Sequence, residues 1–352
     1  MDRVRIGIIG LGIMGEQYVK ICKLHPIAEL VAVSEMRQAR LDEICAKHGI
    51  ANGYTDHRAM LERKDLDGVI VATPDATHLT PVKDVLESGR HVHVEKPFTT
   101  SVAEADELIR IQQRTGKNIQ VSFNHRWLAP YCEAKATIAR GDIGKPLAGY
   151  ARKNDPIYVA TDYLTWAGQT TPAWFLSSHD IDLVRWFLAE EPVAARAWGR
   201  KEVLAARGIP TYDIIQAQVK FASGAFVTFE SAWIYPNTFP TIVDSFVEIV
   251  GSAGHIHLDR KREGIEVSTD QKFTFPKTFL TCDIFGRLRG AFPSCVEDFL
   301  FMVRDNTEPQ VTAWDGRQVT ATLEAIHRSL ESDRTETVAP APAQSQAHNA
   351  HS

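Results

Sequence analysis

Short apolar, β-branched runs alternate with amphipathic stretches over the first third of the chain. The runs predict strands at Val4–Ile9, Leu30–Ser34, Gly68–Ala72, His91–Val94 and Ile119–Phe123. The stretches between them predict helices near Met14–Leu24, Arg37–His48, Leu79–Glu87 and Val102–Arg114. Such an alternation is typical of a parallel sheet with crossover helices, and it predicts a doubly wound α/β domain over residues 1–123.

The pattern changes after about Phe123, where strand-like runs follow one another with turn signals between them. Helices are predicted at Pro130–Arg140, His179–Leu188, Ser294–Arg304 and Gly316–Leu330. Strands are predicted at Val193–Arg200, Ile214–Phe221, Ala225–Trp233 and Val243–Val250. We therefore expect an α+β domain with an open, mostly antiparallel sheet over residues 124–334. Residues 335–352, rich in Ala, Pro, Gln and His toward the end, predict a disordered tail.

Composition narrows the class of protein. The 352 residues favour two domains, and 44% hydrophobic with 24% charged residues is the balance of a folded chain. A net charge of −5 without a long basic run argues against nucleic-acid binding. Five cysteines without a close pair argue against disulfides and a cysteine-based zinc site. No apolar run reaches a membrane span, and the first residues lack a signal-peptide pattern, so we expect a cytoplasmic protein.

A glycine-rich motif, Gly10-Leu11-Gly12-Ile13-Met14-Gly15, lies between the first predicted strand and the first helix. This is the context of a Rossmann dinucleotide-binding fingerprint. One glycine allows the tight turn, the second lets the backbone approach a pyrophosphate, and the third allows close packing of helix and strand. Residues 10, 12, 13, 14 and 15 are therefore predicted to bind the cofactor, with the helix N-terminus facing the phosphates.

Glu35 ends the second predicted strand, where the fingerprint expects an acid on the adenosine ribose. This position favours NAD over NADP. Arg37 leaves the alternative open, because an arginine just beyond that strand can pair with the 2′-phosphate of NADP.

Two further motifs leave strands at the carboxyl edge of the predicted sheet, where ligands bind in open α/β folds. Thr73 and Pro74, with His78 after them, follow the predicted strand Gly68–Ala72. Glu95-Lys96-Pro97 follows the next strand. A lysine beside buried strand ends must be solvated, paired or used for proton transfer, so Lys96 is a catalytic candidate.

At these motifs the chain resembles the glucose-fructose oxidoreductase, inositol dehydrogenase and MocA family, from about Arg3 to Ser332. The resemblance also rests on Gly141-Asp142-Ile143-Gly144 and on His179-Asp180-Ile181-Asp182-Leu183-Val184-Arg185-Trp186. It implies a Rossmann domain, a second domain with an open sheet, nicotinamide held in the cleft between them, and sugar, inositol or related polyol substrates. It also implies a homodimer or homotetramer assembled through the open sheet.

The resemblance assigns roles by position. Lys96 matches the lysine that exchanges the proton of the substrate hydroxyl while nicotinamide takes the hydride. Glu95 matches a residue near the nicotinamide ribose, the bond from Lys96 to Pro97 matches one that is often cis, and His179 matches a histidine that faces the lysine across the cleft. Relatives often carry an aspartate four residues before this histidine, whereas this chain has Phe175.

The missing aspartate leaves the proton network open. It can run through Lys96 and His179 alone, or use Asp182 or Asp180. Weaker candidates for substrate contact are Arg126, after the last strand of the first domain, and Arg152 with Asn154, on one face of a strand-like run.

Other side chains have a structural explanation that competes with the functional one. Trp233 and Tyr235 are interpreted as core packing more readily than as a sugar pocket. The loop-rich stretch 155–172 is typical of a lid or an interface. Two His-x-His pairs lack carboxylate or cysteine partners at metal-site spacing and are interpreted as structural histidines, so no metal is expected. The pairs are His91 with His93 and His255 with His257.

Three functions follow from the sequence, in order of support. The first is an NAD-dependent dehydrogenase or reductase acting on a secondary hydroxyl or ketone of a sugar, inositol or related polyol. The second is a glycoside hydrolase that retains its NAD and uses transient oxidation. The third is a dinucleotide-dependent sensor without catalysis.

Overall fold

The computed structural model describes residues 3–340, and these form two compact units. Of the described residues, the first unit contains 3–131 and Lys277–Arg317. The second unit contains Cys132–Pro276 and residues 318–340. All five cysteines are free thiols. Within the described residues there is no helix with the length and apolar character needed to cross a membrane.

A six-stranded parallel sheet forms the centre of the first unit. Its strands are β1 (Val4–Ile9), β2 (Ala28–Ser34), β3 (Gly53–Tyr54), β4 (Gly68–Val71), β5 (His91–Val94) and β6 (Ile119–Val121). Their spatial order is β3-β2-β1-β4-β5-β6, so the chain reverses direction across the sheet between β1 and β4. This is the doubly wound Rossmann order, and ligands bind at the carboxyl ends of the strands beside such a reversal.

A seven-stranded sheet forms the centre of the second unit. The strands that follow β6 in the described chain are β7 (Pro146–Pro156), β8 (Pro192–Arg200), β9 (Ile214–Phe221), β10 (Phe226–Tyr235), β11 (Asp244–Gly251), β12 (His255–Asp259), β13 (Val267–Ser268), β14 (Phe273–Thr274), β15 (Cys282–Ile284), β16 (Arg287–Arg289) and β17 (Glu336–Thr337). The order in the sheet is β12-β11-β7-β10-β9-β8-β17. Strands β7 and β10 pair in parallel and the other neighbours are antiparallel. The predicted α/β fold class and the mostly antiparallel second sheet are confirmed.

Helices cover both sheets at the spacing that the sequence pattern predicts. They are α1 (Ile13–Leu24), α2 (Gln38–His48), α3 (His57–Leu61), α4 (Leu79–Glu87), α5 (Val102–Thr115), α6 (Ala129–Ala139), α7 (Ser178–Leu188), α8 (Ala291–Asp305) and α9 (Ala313–Ser332). Short helical turns cover parts of the stretch predicted as a long loop, at Val159–Tyr163 and Ala167–Gln169, and another, Ala173–Ser177, leads directly into α7.

The boundary between the units differs from the expected one at 123/124. Lys277–Arg317 was expected in the second domain, yet it folds with the first. The reason is the apolar face of α8, because Phe299 and Leu300 are buried in the same core as Ile6 and Ile8 of β1. Burial of such side chains is the main favourable term in folding.

The first residues of the predicted disordered tail form regular structure. Residues Glu336 and Thr337 pair with Ala195 and Ala194 of β8, and Val338 is buried. The chain therefore continues the second sheet beyond residue 335. Residues 341–352, the rest of the predicted tail, lie outside the described part of the chain.

Candidate functional site

The turn between β1 and α1 requires glycine at two of its positions. Gly10 has a φ of 88°, and a Cβ there would lie 2.6 Å from a carbonyl oxygen after β4. A Cβ on Gly15 would lie 1.9 Å from the carbonyl oxygen of Gly10, so only glycine fits. At Gly12, apart from Gly12 itself, its chain neighbours and the adjoining helix backbone, no heavy atom of residues 3–340 lies within 4 Å of the Cβ position. This open space and the first-turn amides of α1, at Ile13 and Met14, fit a pyrophosphate.

The carboxylate of Glu35 lies beside this turn. Its Oε2 accepts a hydrogen bond from the amide of Leu11 at 3.0 Å, and its Oε1 accepts from the amide and Nε of Arg37 at 3.1 and 2.9 Å. Burial opposes ionisation, but the bonds from Arg37 and Leu11 outweigh it and lower the pKa of Glu35. The predicted ribose ligand is therefore an anion, and Arg37 is its ion-pair partner.

The imidazole of His78 joins the loops that leave β4 and β5. Its Nε2 lies 2.9 Å from the carbonyl oxygen of Thr73, and its Nδ1 lies 2.9 Å from that of Pro97. With 1% exposure, His78 positions these loops, and its direct contact with the cofactor stays a prediction. Thr73 Oγ1 is buried and has no hydrogen-bond partner within residues 3–340. Pro74 follows it and precedes a short helical turn, so the loop offers a hydroxyl at the ligand edge.

Glu95 anchors the start of the second loop. The hydroxyl of Tyr18 donates to its Oε1 at 2.5 Å, and the amide of Lys96 donates to its Oε2 at 3.0 Å. Glu95 is 6% exposed, and the Lys96-Pro97 peptide is cis. The structure thus fixes the backbone of Lys96 two residues after the end of β5, at the carboxyl edge of the sheet. Sequence reasoning did not find Tyr18.

In the second unit, His179 lies in the first turn of α7. The next residue, Asp180, forms a buried ion pair with Lys153 of β7, and neither side chain is more than 3% exposed. Burial raises the pKa of Asp180, although Lys153 opposes this effect. The pair ties the first turn of the helix to the sheet and thereby holds His179 at a fixed place in this unit.

One face of β7 carries the polar side chains predicted for substrate contact. Arg152 Nε donates to Asp244 of β11 at 2.9 Å. Asn154 Nδ2 donates to Glu230 of β10 at 2.7 Å and to the hydroxyl of Tyr235 at 2.9 Å. Burial opposes ionisation of Glu230, but its hydrogen bonds lower its pKa. The structure therefore brings Arg152 and Asn154 into one charged network, in which the sequence had not placed Glu230 or Asp244.

Phe175 packs in an aromatic cluster. Its ring centroid lies 6.2 Å from that of Trp166 and 6.2 Å from that of Trp233. Trp233 is fully buried and donates its indole N–H to a backbone carbonyl. The core-packing interpretation of Trp233 agrees with this environment, and Phe175 extends that core one turn before His179.

Two residues predicted to contact the substrate, Arg126 and Asp182, have largely buried side chains. Arg126 donates to Asp315 at 3.0 Å within the first unit, and its side chain is 9% exposed. This ion pair holds the Arg126 side chain, and its role at the pocket edge stays a prediction. Asp182 is fully buried in α7, and its contact with the substrate stays a prediction.

The histidine pairs differ in their surroundings. Burial lowers the pKa of His91 to about 4 and that of His93 to about 3. The rings of His255 and His257 lie 4.8 Å apart on β12, and His257 contacts Glu248 at 2.9 Å. Over residues 3–340 there is no cluster of three or more His, Cys, Asp or Glu side chains that could hold a metal ion.

Comparison with protein families gives two matches that together span most of the chain. Residues 4–123 match the GFO_IDH_MocA model, described as an oxidoreductase family with an NAD-binding Rossmann fold. Residues 135–339 match the GFO_IDH_MocA_C model, the C-terminal alpha/beta domain of the same oxidoreductase family.

Individual relatives match over nearly their full length. A myo-inositol 2-dehydrogenase of Thermotoga maritima is 28% identical over 94% of this chain and 98% of its own. A scyllo-inositol 2-dehydrogenase (NAD(+)) of Bacillus subtilis is 28% identical over 89% of this chain and 90% of its own. The solved scyllo-inositol dehydrogenase of Lactobacillus casei, with NAD(H) and scyllo-inositol, has a TM-score of 0.83 at 23% identity, covering 96% of this chain and 100% of that one.

Proposed function

Because the chain belongs to the GFO_IDH_MocA oxidoreductase family with its NAD-binding Rossmann fold, we propose that it oxidises a secondary hydroxyl of an inositol or a related polyol, or reduces the ketone. Relatives named as inositol dehydrogenases support this substrate class. The observation that carries the reaction type is the placement of Lys96, the second residue after β5, at the ligand edge of the sheet with its amide fixed by Glu95.

The first unit supplies the cofactor contacts in this proposal. The glycine turn and the first-turn amides of α1 receive the pyrophosphate, and Glu35 receives the adenosine ribose. Thr73 and Pro74 line the loop after β4, with the unused hydroxyl of Thr73 directed to a ligand. Arg37 is already paired with Glu35, and a 2′-phosphate would lie beside that carboxylate, so NAD is preferred over NADP.

Lys96 and His179 are the proposed catalytic residues. Bound NAD supplies the hydride acceptor for the oxidation. The amine of Lys96 takes the proton of the substrate hydroxyl as the C–H bond gives up its hydride and the carbonyl forms. His179 binds the same hydroxyl or passes the proton on, held in place by the Lys153–Asp180 pair in the turn it shares. Arg152 and Asn154 lie on the opposite face of β7 from Lys153, which pairs with Asp180 beside His179, so they take no part in this mechanism and their predicted substrate contact is corrected.

A substrate panel tests this function. Purified protein is incubated with inositols and sugars and with NAD or NADP, and absorbance of the reduced nicotinamide is followed. We expect turnover of at least one inositol with NAD. Bound NAD that co-purifies and never turns over, together with cleavage of a glycoside, would favour the hydrolase. Tight NAD binding with neither activity would favour the sensor.

We also propose that the outer face of the second sheet pairs with a second copy of the chain in a homodimer or homotetramer. This face carries Trp198, Phe226 and Val250, which are 58%, 47% and 39% exposed. It also carries both signs of charge, in Arg152 and Glu230, so two copies can pair across a twofold axis. The cytoplasmic location expected from the sequence stays a prediction.

A further inference from the structure

A buried hydrogen-bond network lies behind the loop that carries Lys96. Its centre is Tyr18 of α1, which is 0% exposed. The Tyr18 hydroxyl lies 2.5 Å from Glu95 Oε1, 2.9 Å from Ser122 Oγ and 3.2 Å from His93 Nε2. All these residues belong to the first unit. A buried hydroxyl with three polar neighbours is a specific arrangement, because each unpaired member would be costly.

The directions of these hydrogen bonds follow from the far end of the network. Gln120 Nε2 lies 2.8 Å from the carbonyl oxygen of Cys295 and 3.2 Å from His93 Nδ1. The carbonyl can only accept, so the amide nitrogen faces it and also donates to His93 Nδ1. Burial keeps His93 neutral by lowering its pKa to about 3. Its single N–H is therefore on Nε2 and donates to Tyr18.

The hydroxyl of Tyr18 then donates its hydrogen bond to Glu95. Since His93 donates to the hydroxyl oxygen, the single O–H of Tyr18 is directed at Glu95 Oε1, the shortest of its contacts. The other oxygen of Glu95 accepts from the amide of Lys96 at 3.0 Å. Both oxygens of this buried carboxylate are thus held, one by the helix and one by the loop.

We propose that Tyr18 is a positioning residue for Lys96, acting through Glu95. The inference rests on the proposed function, in which Lys96 takes the substrate proton. Without the Tyr18 hydroxyl, Glu95 can turn and the backbone of Lys96 loses a fixed acceptor. Small displacements of a proton-transfer group reduce turnover strongly, whereas they change ground-state binding much less.

The test compares Tyr18→Phe with Ser122→Ala. The first change removes the donor to Glu95 and keeps the ring, and the second removes another hydroxyl of the same network but leaves the Tyr18–Glu95 bond. For Tyr18→Phe we expect kcat to fall at least about tenfold, with the KM for NAD and the number of NADH sites per chain unchanged. Ser122→Ala should keep kcat within about twofold, because its bond does not hold Glu95.

An activity-independent readout separates this inference from the proposed function. Hydrogen–deuterium exchange of the peptide that contains Lys96 should be faster in Tyr18→Phe and unchanged in Ser122→Ala, in protein without substrate. Glu95→Gln keeps the side-chain size, but its amide has one acceptor oxygen for two donors, so it should show the same faster exchange. If Tyr18→Phe does not fold, Glu95→Gln still tests whether the bond from Glu95 to the Lys96 amide holds the loop.

The double variant Tyr18→Phe/Glu95→Gln completes the experiment. If Tyr18 acts through Glu95, the loss of kcat in the double variant should be no larger than in Glu95→Gln alone, because one anchor is removed twice. The inference would be overturned by unchanged exchange at Lys96 in Tyr18→Phe and Glu95→Gln. It would also be overturned if the two losses of kcat multiplied in the double variant. A wild-type protein inactive on the whole panel would instead overturn the proposed function.

Discussion

At the scale of single residues, the sequence identifies groups whose chemistry depends on local spacing. Gly10 and Gly15 follow their strand at fixed offsets and have the tight turn and the close packing predicted for them. Glu35 lies beside that turn, and its contact with the ribose stays a prediction. Tyr18 was not found, because a tyrosine on the inner side of a helix is ordinarily a core residue. Its partner Glu95 lies 77 residues further along the chain, and pairing over such a distance has no signal in one sequence.

Cofactor choice is predicted to depend on Glu35. Wild-type protein should prefer NAD, because the ionised carboxylate repels a 2′-phosphate. Glu35→Ser removes this repulsion and releases Arg37, so the ratio of kcat/KM for NAD to that for NADP should fall at least about tenfold, or ~1.4 kcal/mol. Arg37→Ala in the Glu35→Ser background should remove the gain with NADP. A wild-type preference for NADP would contradict the assignment.

Proton transfer is predicted to depend on Lys96. Lys96→Met keeps much of the side-chain length but cannot accept a proton, so kcat should fall on the order of 10² to 10⁴. NADH titration should give an unchanged stoichiometry, since Gly12 and Glu35 are intact. Lys83→Met, at a surface lysine that pairs with Glu107 on a neighbouring helix, is the matched control. Turnover close to wild type in Lys96→Met would refute the proposed mechanism.

At the scale of secondary structure elements, periodic segments were predicted and irregular ones were not. Strand β7 was not predicted in full, because it carries Arg152 and Asn154 on one face and the buried Lys153 on the other, so it lacks clean apolar alternation. The helical turn Ala173–Ser177 was not predicted either. Both elements carry or adjoin the candidate site, where sequences often depart from simple patterns.

The turn before α7 is predicted to tolerate a change at Phe175. Phe175→Leu keeps an apolar side chain against Trp166 and Trp233 but removes the ring contacts, so the folded state should lose about 1 to 2 kcal/mol and still form. Turnover should stay within about threefold of wild type. Phe175→Asp, which places a carboxylate against these rings, should lower the melting temperature clearly. A large loss of turnover in the folded Phe175→Leu variant would show that the ring contacts substrate.

Strand β5 is predicted to make stability depend on pH through its buried histidines. Burial depresses the pKa of His93 to about 3 in the folded state, below the usual ~6.5 of the unfolded chain. The contribution of neutral His93 to the free energy of unfolding is therefore fully present above pH ~6.5 and is lost as the pH falls toward 3. His93→Gln should reduce the slope of unfolding free energy by about 1.4 kcal/mol per pH unit between pH ~6 and ~4. Urea denaturation at several pH values measures both slopes, and equal slopes would contradict the prediction.

At the scale of the whole molecule, the sequence predicts the fold class of each domain but not which unit each later segment of the chain joins. The apolar face of α8 predicts a buried helix, yet nothing in its pattern says which core buries it. The structure places Phe299 and Leu300 against β1, nearly 300 residues earlier in the chain. Tertiary packing of this kind decides domain boundaries, and local periodicity does not encode it.

Assembly is predicted to depend on the outer face of the second sheet. Trp198 lies on β8 and Phe226 on β10, and both point away from the buried face, where Ala197 and Val227 alternate with them. Burying such side chains against a second copy gains free energy in proportion to the apolar area removed from water. Wild-type protein should therefore behave as a dimer or tetramer in light scattering at micromolar concentration.

The double variant Trp198→Glu/Phe226→Glu should shift this assembly toward monomers, because two charges on a desolvated face repel and lose hydration. Phe285→Ser is the matched control, since this side chain is fully exposed on the hairpin of the first unit and lies outside the proposed interface. Its assembly should equal that of wild type. A monomeric wild type, or an unchanged mass for the double variant, would mean that the outer face does not join copies of the chain.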